Sequence, residues 1–438
     1  MIFMELKQFQ EAYERLKRGR RGEPSWLRIL RDGAKDFFLR NGFPASDNDA
    51  WRHTDLSAFR ELPFTPGEDA ALISPGELKV LQDKAGKNFI LVMNGKLMRE
   101  YSTIEPGVEV MGLEEAIREK PELVEPHLGQ CGASGAEAFN ALNTVFFRSG
   151  LFFHVPEDMT VKEPLQVVFL ADPAKEHATF FLRNLVVIGE GSKAALAETY
   201  LSGNGRGYFS SAVTEVFLGK NAILDHVKIA KENAKVFHFA STRTLLRHAS
   251  SFSSFTLLTG GRLARNECHA VLDEEGAACA LNGLYLSDGD QLLDQQTFVD
   301  HRKPAGKSHQ FFKGLMAGNS RGVFNGKVVV RQDAQKTDAH QTYKGLLFSD
   351  AAQVDAQPQL EILADDVQCS HGVAIGQLEE DAIFYLRSRG IGEKEAGRML
   401  AQGFALEVIE RSGVQRYKDE LISLIDEKLS EQLGNRKG

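Results

Sequence analysis

The sequence predicts a mainly β protein, with a β-solenoid core flanked by N- and C-terminal α-helical domains. Three observations carry that expectation. Between about residues 145 and 376, short β-prone runs alternate with Gly, Asn, Asp and Ser. Within that stretch, related openings recur at Ser192, Asn221, Ala249, Gly276, Ser320 and Ala351, spaced 29, 28, 27, 44 and 31 residues apart. Both ends of the chain instead space their apolar residues at helical intervals. Repeats of this length in short strands suit coils stacked one on the next, with the interval of 44 read as one rung carrying an insertion. Small residues fit the tight interior, and Gly, Asn and Asp fit the corners. An irregular two-sheet sandwich is the alternative that spacing leaves open.

Taken in order, residues 1–130 form a helical and then mixed domain. Phe9, Tyr13 and Leu16 share one helical stripe, and Lys17, Arg18 and Arg20 follow beside Gly19 and Gly22. Cations favour the last turn of a helix, so this basic cluster reads as a helix end rather than an anion site. A second stripe runs Trp26, Leu27, Leu30, with Phe37 and Phe38 beyond, and one strand is expected at Asn88–Asn94. Residues 131–375 are the β core, with strands at Leu165–Leu170, Ala178–Ile188, Val213–Leu218 and Val323–Val330. Residues 376–438 read as three helices. The first has Glu379, Glu380 and Asp381 ahead of it and Arg387, Arg389 and Gly390 at its end, the second spans Glu393–Arg411, and the third carries Tyr417, Leu421, Leu424, Ile425 and Leu429 on one stripe. Helical ends are expected to cover sheet edges, which makes the tail a cap.

Composition excludes several classes. The 438 residues carry 52 Lys+Arg against 60 Asp+Glu, a net charge of -8, and this acidic balance argues against nucleic acid as a partner. No apolar run approaches the roughly 18 residues of a membrane helix. The nearest, Phe180–Ile188, is broken by Arg183 and Asn184, and the opening MIFMELKQFQ has no signal-peptide character. Cys131, Cys268, Cys279 and Cys369 are scattered without a C-x-x-C pair, which fits a reduced cytoplasmic protein and no self-contained cysteine metal site. No P-loop, G-x-S-x-G elbow or H-E-x-x-H occurs, and Gly189–Lys193 reads as a turn between strands. Asp300-His301 and Cys268-His269 are neighbours whose side chains leave opposite faces of a strand.

The chemistry narrows to Asp365–Gly372. In a strand, Val367, Cys369 and His371 project from one face. Thiolate and imidazole two residues apart can converge on one iron or zinc ion, and a second chain or distant residues must then complete the shell. The plainer alternative packs Cys369 as a small core residue and leaves His371 exposed or hydrogen-bonded.

The run from Asp365 through Leu378, continuing through Phe384–Ile391, resembles the signature of the SufB/SufD family, on its SufD side. These proteins are scaffold subunits of the SUF iron–sulfur cluster assembly machinery. Arg321–Lys327 and Ala334–Ala339 are similar to blocks shared across the family. Trp51–Leu56 resembles its W-R-Y-T-D-L block, with His53 where Tyr is usual, and Asn140–Asn143 followed by Phe146 and Phe147 also fits. SufB members carry a sequence close to E-H-E-A-T-T-S-K-I-G where this chain has Asp366–Gly376. The resemblance, from about Trp51 to Glu410, implies a right-handed parallel β-helix between helical domains. It implies a non-enzymatic subunit in a complex with a SufB-like paralogue and two copies of a SufC-like ABC ATPase. The ATPase would dock on the C-terminal helical domain around Gly403, Phe404 and Glu407. It further implies that His371 faces SufB and helps to hold a nascent cluster or its iron, with Cys369 the weaker candidate. No cofactor is then expected to be held tightly by this chain alone. The rival readings are a SufB-like scaffold, a β-helix carbohydrate-active enzyme, and a homodimer formed through the same edge.

Overall fold

The computed structural model describes residues 6–434 apart from 21, 46, 64, 67–78, 80, 82–86, 132–137, 149 and 413–416. Four short strands come first: β1 (Thr65–Pro66), β2 (Asn88–Met93), β3 (Lys96–Leu97) and β4 (Glu109–Gly112). The chain then alternates between two sheets. The first holds β5 (Leu151–Val155), β7 (Ala178–Ile188), β9 (Tyr208–Leu218), β11 (Phe237–Leu246), β13 (Leu263–Leu272), β15 (Leu292–His301), β17 (Arg321–Val330) and β19 (Gln353–Ile362). The second holds β6 (Leu165–Ala171), β8 (Lys193–Ser202), β10 (Ile223–Lys231), β12 (Ser251–Leu258), β14 (Ala278–Ser287), β16 (Lys307–Met316), β18 (Asp338–Leu347) and β20 (Gln368–Gln377).

Each of these strands pairs in parallel with the strand one coil on, so about eight coils stack into a β-solenoid. Parallel pairing between successive coils excludes the sandwich, whose strands run antiparallel. Strands of the second sheet begin at 193, 223, 251, 278, 307, 338 and 368, a coil of 27 to 31 residues. The interval of 44 is therefore not an inserted rung. Gly276 precedes β14 of the second sheet and Ser320 precedes β17 of the first, so the interval crosses one and a half coils. The openings of the second sheet look alike because its corners make the same demand. Gly191, Asn221, Ala249, Gly276, Ala305 and Lys336 each stand two residues before a second-sheet strand, and all six are left-handed.

Strands within residues 1–130 continue the two sheets: β2 pairs in parallel with β6, and β4 pairs antiparallel with β5. Nine described helices surround this core: α1 (Leu6–Gly19), α2 (Ser25–Asn41), α3 (Ser57–Arg60), α4 (Leu113–Glu119), α5 (Pro121–Val124), α6 (Ala138–Phe146), α7 (Glu380–Ser388), α8 (Glu393–Arg411) and α9 (Lys418–Gly434). The apolar stripes of α1, α2 and α6 bury Phe9, Phe38, Phe139 and Leu142 against Phe209, Phe237 and Phe239 on the outer face of the first sheet. The basic cluster after α1 serves this packing. Arg20 and the buried Arg31 donate to Val145 O and Phe147 O, the orphan carbonyls at the end of α6. The tail is not an end cap. α8 and α9 lie on the outer face of the second sheet, where Ala405, Val408, Leu421 and Ile425 meet Ile229, Phe255, Leu284 and Leu315. An amphipathic stripe needs an apolar surface to bury itself, and that surface is the side of the solenoid. No described helix is long and apolar enough to cross a membrane.

Candidate metal-ligand site at the open end of the solenoid

Because the tail lies along the side, the last coil has no cover among the described residues. β19 and β20 stand at the ends of their sheets, each paired on one side only. Pro358 marks β19 as a strand with a free edge, since proline cannot donate to a sheet on both sides. Apolar side chains lie open here: Ile362 is 39% exposed, Val373 41%, Ile375 44% and Leu363 54%. Such an edge, long and apolar, is a template for another chain.

Cys369 and His371 both lie on β20, paired with Ala339 and Gln341 of β18. Their shared face is the one turned toward the lumen. Cys369 packs, half-buried, against the lumen core that includes Ala339 and Tyr343, and Gln341 beneath His371 is almost wholly buried. His371 is exposed only because no coil follows. Burial raises the Cys369 thiol above its ordinary range, with a backbone hydrogen bond from Ala339 opposing the shift. At neutral pH that thiol is protonated, a poorer ligand than the histidine next to it. Cys131, Cys268 and Cys279 are buried elsewhere. Among the described residues, no group of three or more His, Cys, Asp and Glu side chains is arranged to hold a metal ion. A metal at His371 therefore needs ligands from outside this set.

The other predicted positions lie on α8. Phe404 and Glu407 are partly buried and Gly403 is exposed. The Lys313 ammonium donates to Phe404 O at 2.6 Å, sits 4.0 Å over the Phe404 ring and pairs with Glu407. Glu407 also takes Lys344 at 3.3 Å and Arg411 at 2.7 Å. Burial pushes the Glu407 carboxyl up, but Lys313 and Lys344 outweigh it and hold the group below its ordinary range. These two side chains thus fasten α8 to the solenoid. The open apolar surface of the tail is formed by Phe384 and Tyr385 on α7, 72% and 57% exposed, and by Met399 on α8, 41% exposed. A cleft of about 490 Å³ runs between that surface and the corner at Phe348 and Asp350.

Sequence reading missed how the Trp51–Leu56 block is used. Trp51 lies under the Arg265 guanidinium at 3.7 Å, and Thr54 donates to the buried Asp294. His53 reaches the last coil, with Nδ1 3.2 Å from Asp355 and Nε2 3.0 Å from Gln357. Arg321, from the block it opens, binds the same Asp355. Two separate motifs thus converge on the outer face of β17 and β19, directly behind the open edge. Only the coil period could have signalled this, since Arg321 and Gln353 are register partners.

Two family profiles cover nearly the whole described chain. The SufBD protein N-terminal region matches residues 5–167, and the SufBD core domain of the SUF iron–sulfur cluster assembly system matches residues 169–404. The chain belongs to the SufBD family. Its SufBD relatives include the iron–sulfur cluster assembly protein SufD of Escherichia coli, 30% identical over 89% of this chain and 90% of that protein. A SufBD family protein of Synechocystis is 28% identical over 89% of this chain and 88% of its own length. SufD of Bacillus subtilis is 25% identical over 97% of both. The SufBD boundary near residue 168 falls inside β6, so the core profile begins within the solenoid rather than at a domain junction.

Proposed function

We propose that this chain is a non-ATPase scaffold subunit of an iron–sulfur cluster assembly complex. It pairs through its open last coil with a SufB-like paralogue and lends His371 to a ligand set shared across that interface. One observation carries the reading: an uncovered, apolar strand edge that bears an exposed histidine and too few further ligands among the described residues. An incomplete site at a bare edge is useful only when a second chain completes it. Shared ligation also lets movement of the two subunits open or release the site. The iron or nascent cluster is cargo, and no tightly held cofactor belongs to this chain alone.

A SufC-like ABC ATPase binds the tail in this reading. The exposed face around Gly403, Met399, Phe384 and Tyr385 is offered to it, while Phe404 and Glu407 hold α8 against the second sheet. Such a complex works in the cytoplasm, without nucleic acid or membrane. Purified alone, the chain can dimerise through the same edge. Light scattering should then show that a SufB-like partner replaces the homodimer by a heteromer.

The deciding experiment is cluster reconstitution on the co-expressed complex. His371→Ala should leave all three subunits co-purifying and reduce cluster yield at least tenfold. Cys369→Ser should cost far less. Wild-type yield from the His371→Ala complex would sink the ligand role. Failure of the chain to co-purify with either partner would sink the scaffold role.

A further inference from the structure

We propose that Gln341 is a positioning residue for His371. Its side-chain carbonyl accepts a ring N–H of His371 across the last coil boundary, fixing which imidazole nitrogen is left free to bind. The inference rests on the ligand role argued above and adds the device that orients the ligand.

The observations lie along one column of the lumen. Gln310, Gln341 and His371 occupy the same register position on β16, β18 and β20. Gln310 and Gln341 are 3% and 1% exposed. Thr297 Oγ1 donates to Gln310 Oε1 at 2.6 Å, and Gln341 Nε2 donates to the same oxygen at 3.3 Å. A carboxamide is planar, and its oxygen and nitrogen diverge from the terminal carbon by about 120°. With its nitrogen turned toward Gln310 on β16, Gln341 turns its oxygen away from that strand. That oxygen is buried and makes no hydrogen bond in this structure, to His371 or to any other described residue. A buried acceptor left unsatisfied is uncommon and calls for a partner. Its register neighbour on the open side is His371, whose exposed side chain makes no hydrogen bond here and can turn onto it. Neighbouring strands lie about 4.8 Å apart, so side chains at one register position are within hydrogen-bond reach.

Two further features support the assignment. The same column contains His226, whose Nδ1 lies 3.0 Å from Ser254 Oγ in the adjacent coil. This position therefore already holds one histidine by a side chain across a coil boundary. Gly326, within the Arg321–Lys327 block, keeps room for the amide, because a Cβ there would lie 2.2 Å from Gln341 Nε2. A ligating histidine whose second nitrogen donates to a carbonyl presents its lone pair in one orientation, and loss of such a partner costs about 10–100-fold in metal affinity.

The test reads the tautomer directly, in the metal-free chain labelled with ¹⁵N-histidine at pH 8. The His371 signals are assigned by their loss in His371→Gln. Wild type should show one dominant tautomer. Gln341→Leu and Gln341→Met should both show a mixture, and Gln341→Glu, which keeps the acceptor, should restore a single form. In the complex with the SufB-like partner, Gln341→Leu should weaken iron(II) binding about 10–100-fold. A mixed tautomer in wild type, or an unchanged one in the leucine and methionine variants, overturns the proposal whatever the cluster yield. A locked tautomer together with wild-type yield from His371→Ala overturns instead the ligand role on which it rests.

Discussion

At the scale of single residues, the solenoid hides charge and histidine in its lumen and under its helices. Glu198 lies wholly buried. Burial pushes its carboxyl up, but Lys228, His226 and Thr214 outweigh that and hold it ionised. At His269 and His301 burial outweighs the nearby carboxylates of Glu267, Asp300 and Asp338, and drives His269 down to about 3 and His301 to about 4. Both are neutral in the fold and protonate near 6.5 in the unfolded chain. From pH 6.5 down to their folded values, the unfolded state thus binds more protons. Stability should fall on acidification through that window by up to ~1.4 kcal/mol per pH unit for each histidine. Urea unfolding between pH 7.5 and 4.5 checks this. His301→Gln should flatten the slope by about one histidine's share, and an unchanged slope would show that His301 is already protonated in the fold.

At the scale of elements, the corners set the coil. Gly276 and Ala249 are left-handed at matching corner positions, Gly276 at φ +72° and Ala249 at φ +51°. A Cβ at Gly276 would meet nothing closer than 3.9 Å. The cost of Gly276→Ala is therefore conformational alone, about 1 kcal/mol, and the strand register should survive. A urea-unfolding loss well above that, or lost parallel pairing, would mean that the corner does more than turn the chain. The same corner logic explains what the sequence showed and concealed. Small or polar openings were legible, yet they mark corners of both sheets alike, so counting them merged two interleaved series and made an interval of one and a half coils look like an insertion. The α9 stripe was equally legible. What it covers was not, because a stripe announces that it is buried without saying against what.

At the scale of the whole molecule, stability should run as a nearest-neighbour series along the stack. An inner coil has two neighbours and helices on its faces, whereas β19 and β20 have one neighbouring coil and an open edge. Hydrogen exchange should be fastest in β20 and slow progressively toward β14. A SufB-like partner should raise β19–β20 protection at least tenfold and change α1, α2 and α6 little. Equal protection along all coils of the isolated chain would contradict the open end, and partner protection centred on the helices would move the interface. His53 binds behind β19 through Asp355 and Gln357, so the N-terminal block braces this coil from outside while leaving its edge free.

The sequence by itself determined the helical ends, the coil length and the family, and it pointed to the candidate ligand on the last strand. These follow from local periodicity and from contiguous motifs, which are written along the chain. Only the tertiary structure decided that the tail lies on the side of the solenoid, that Phe404 and Glu407 face inward, and that Gln341 stands beneath His371. Each of those depends on which residues meet across a coil, about 30 positions apart in sequence yet ~4.8 Å apart in space. Stacking converts a distant residue into a neighbour, and the open end exists because stacking stops.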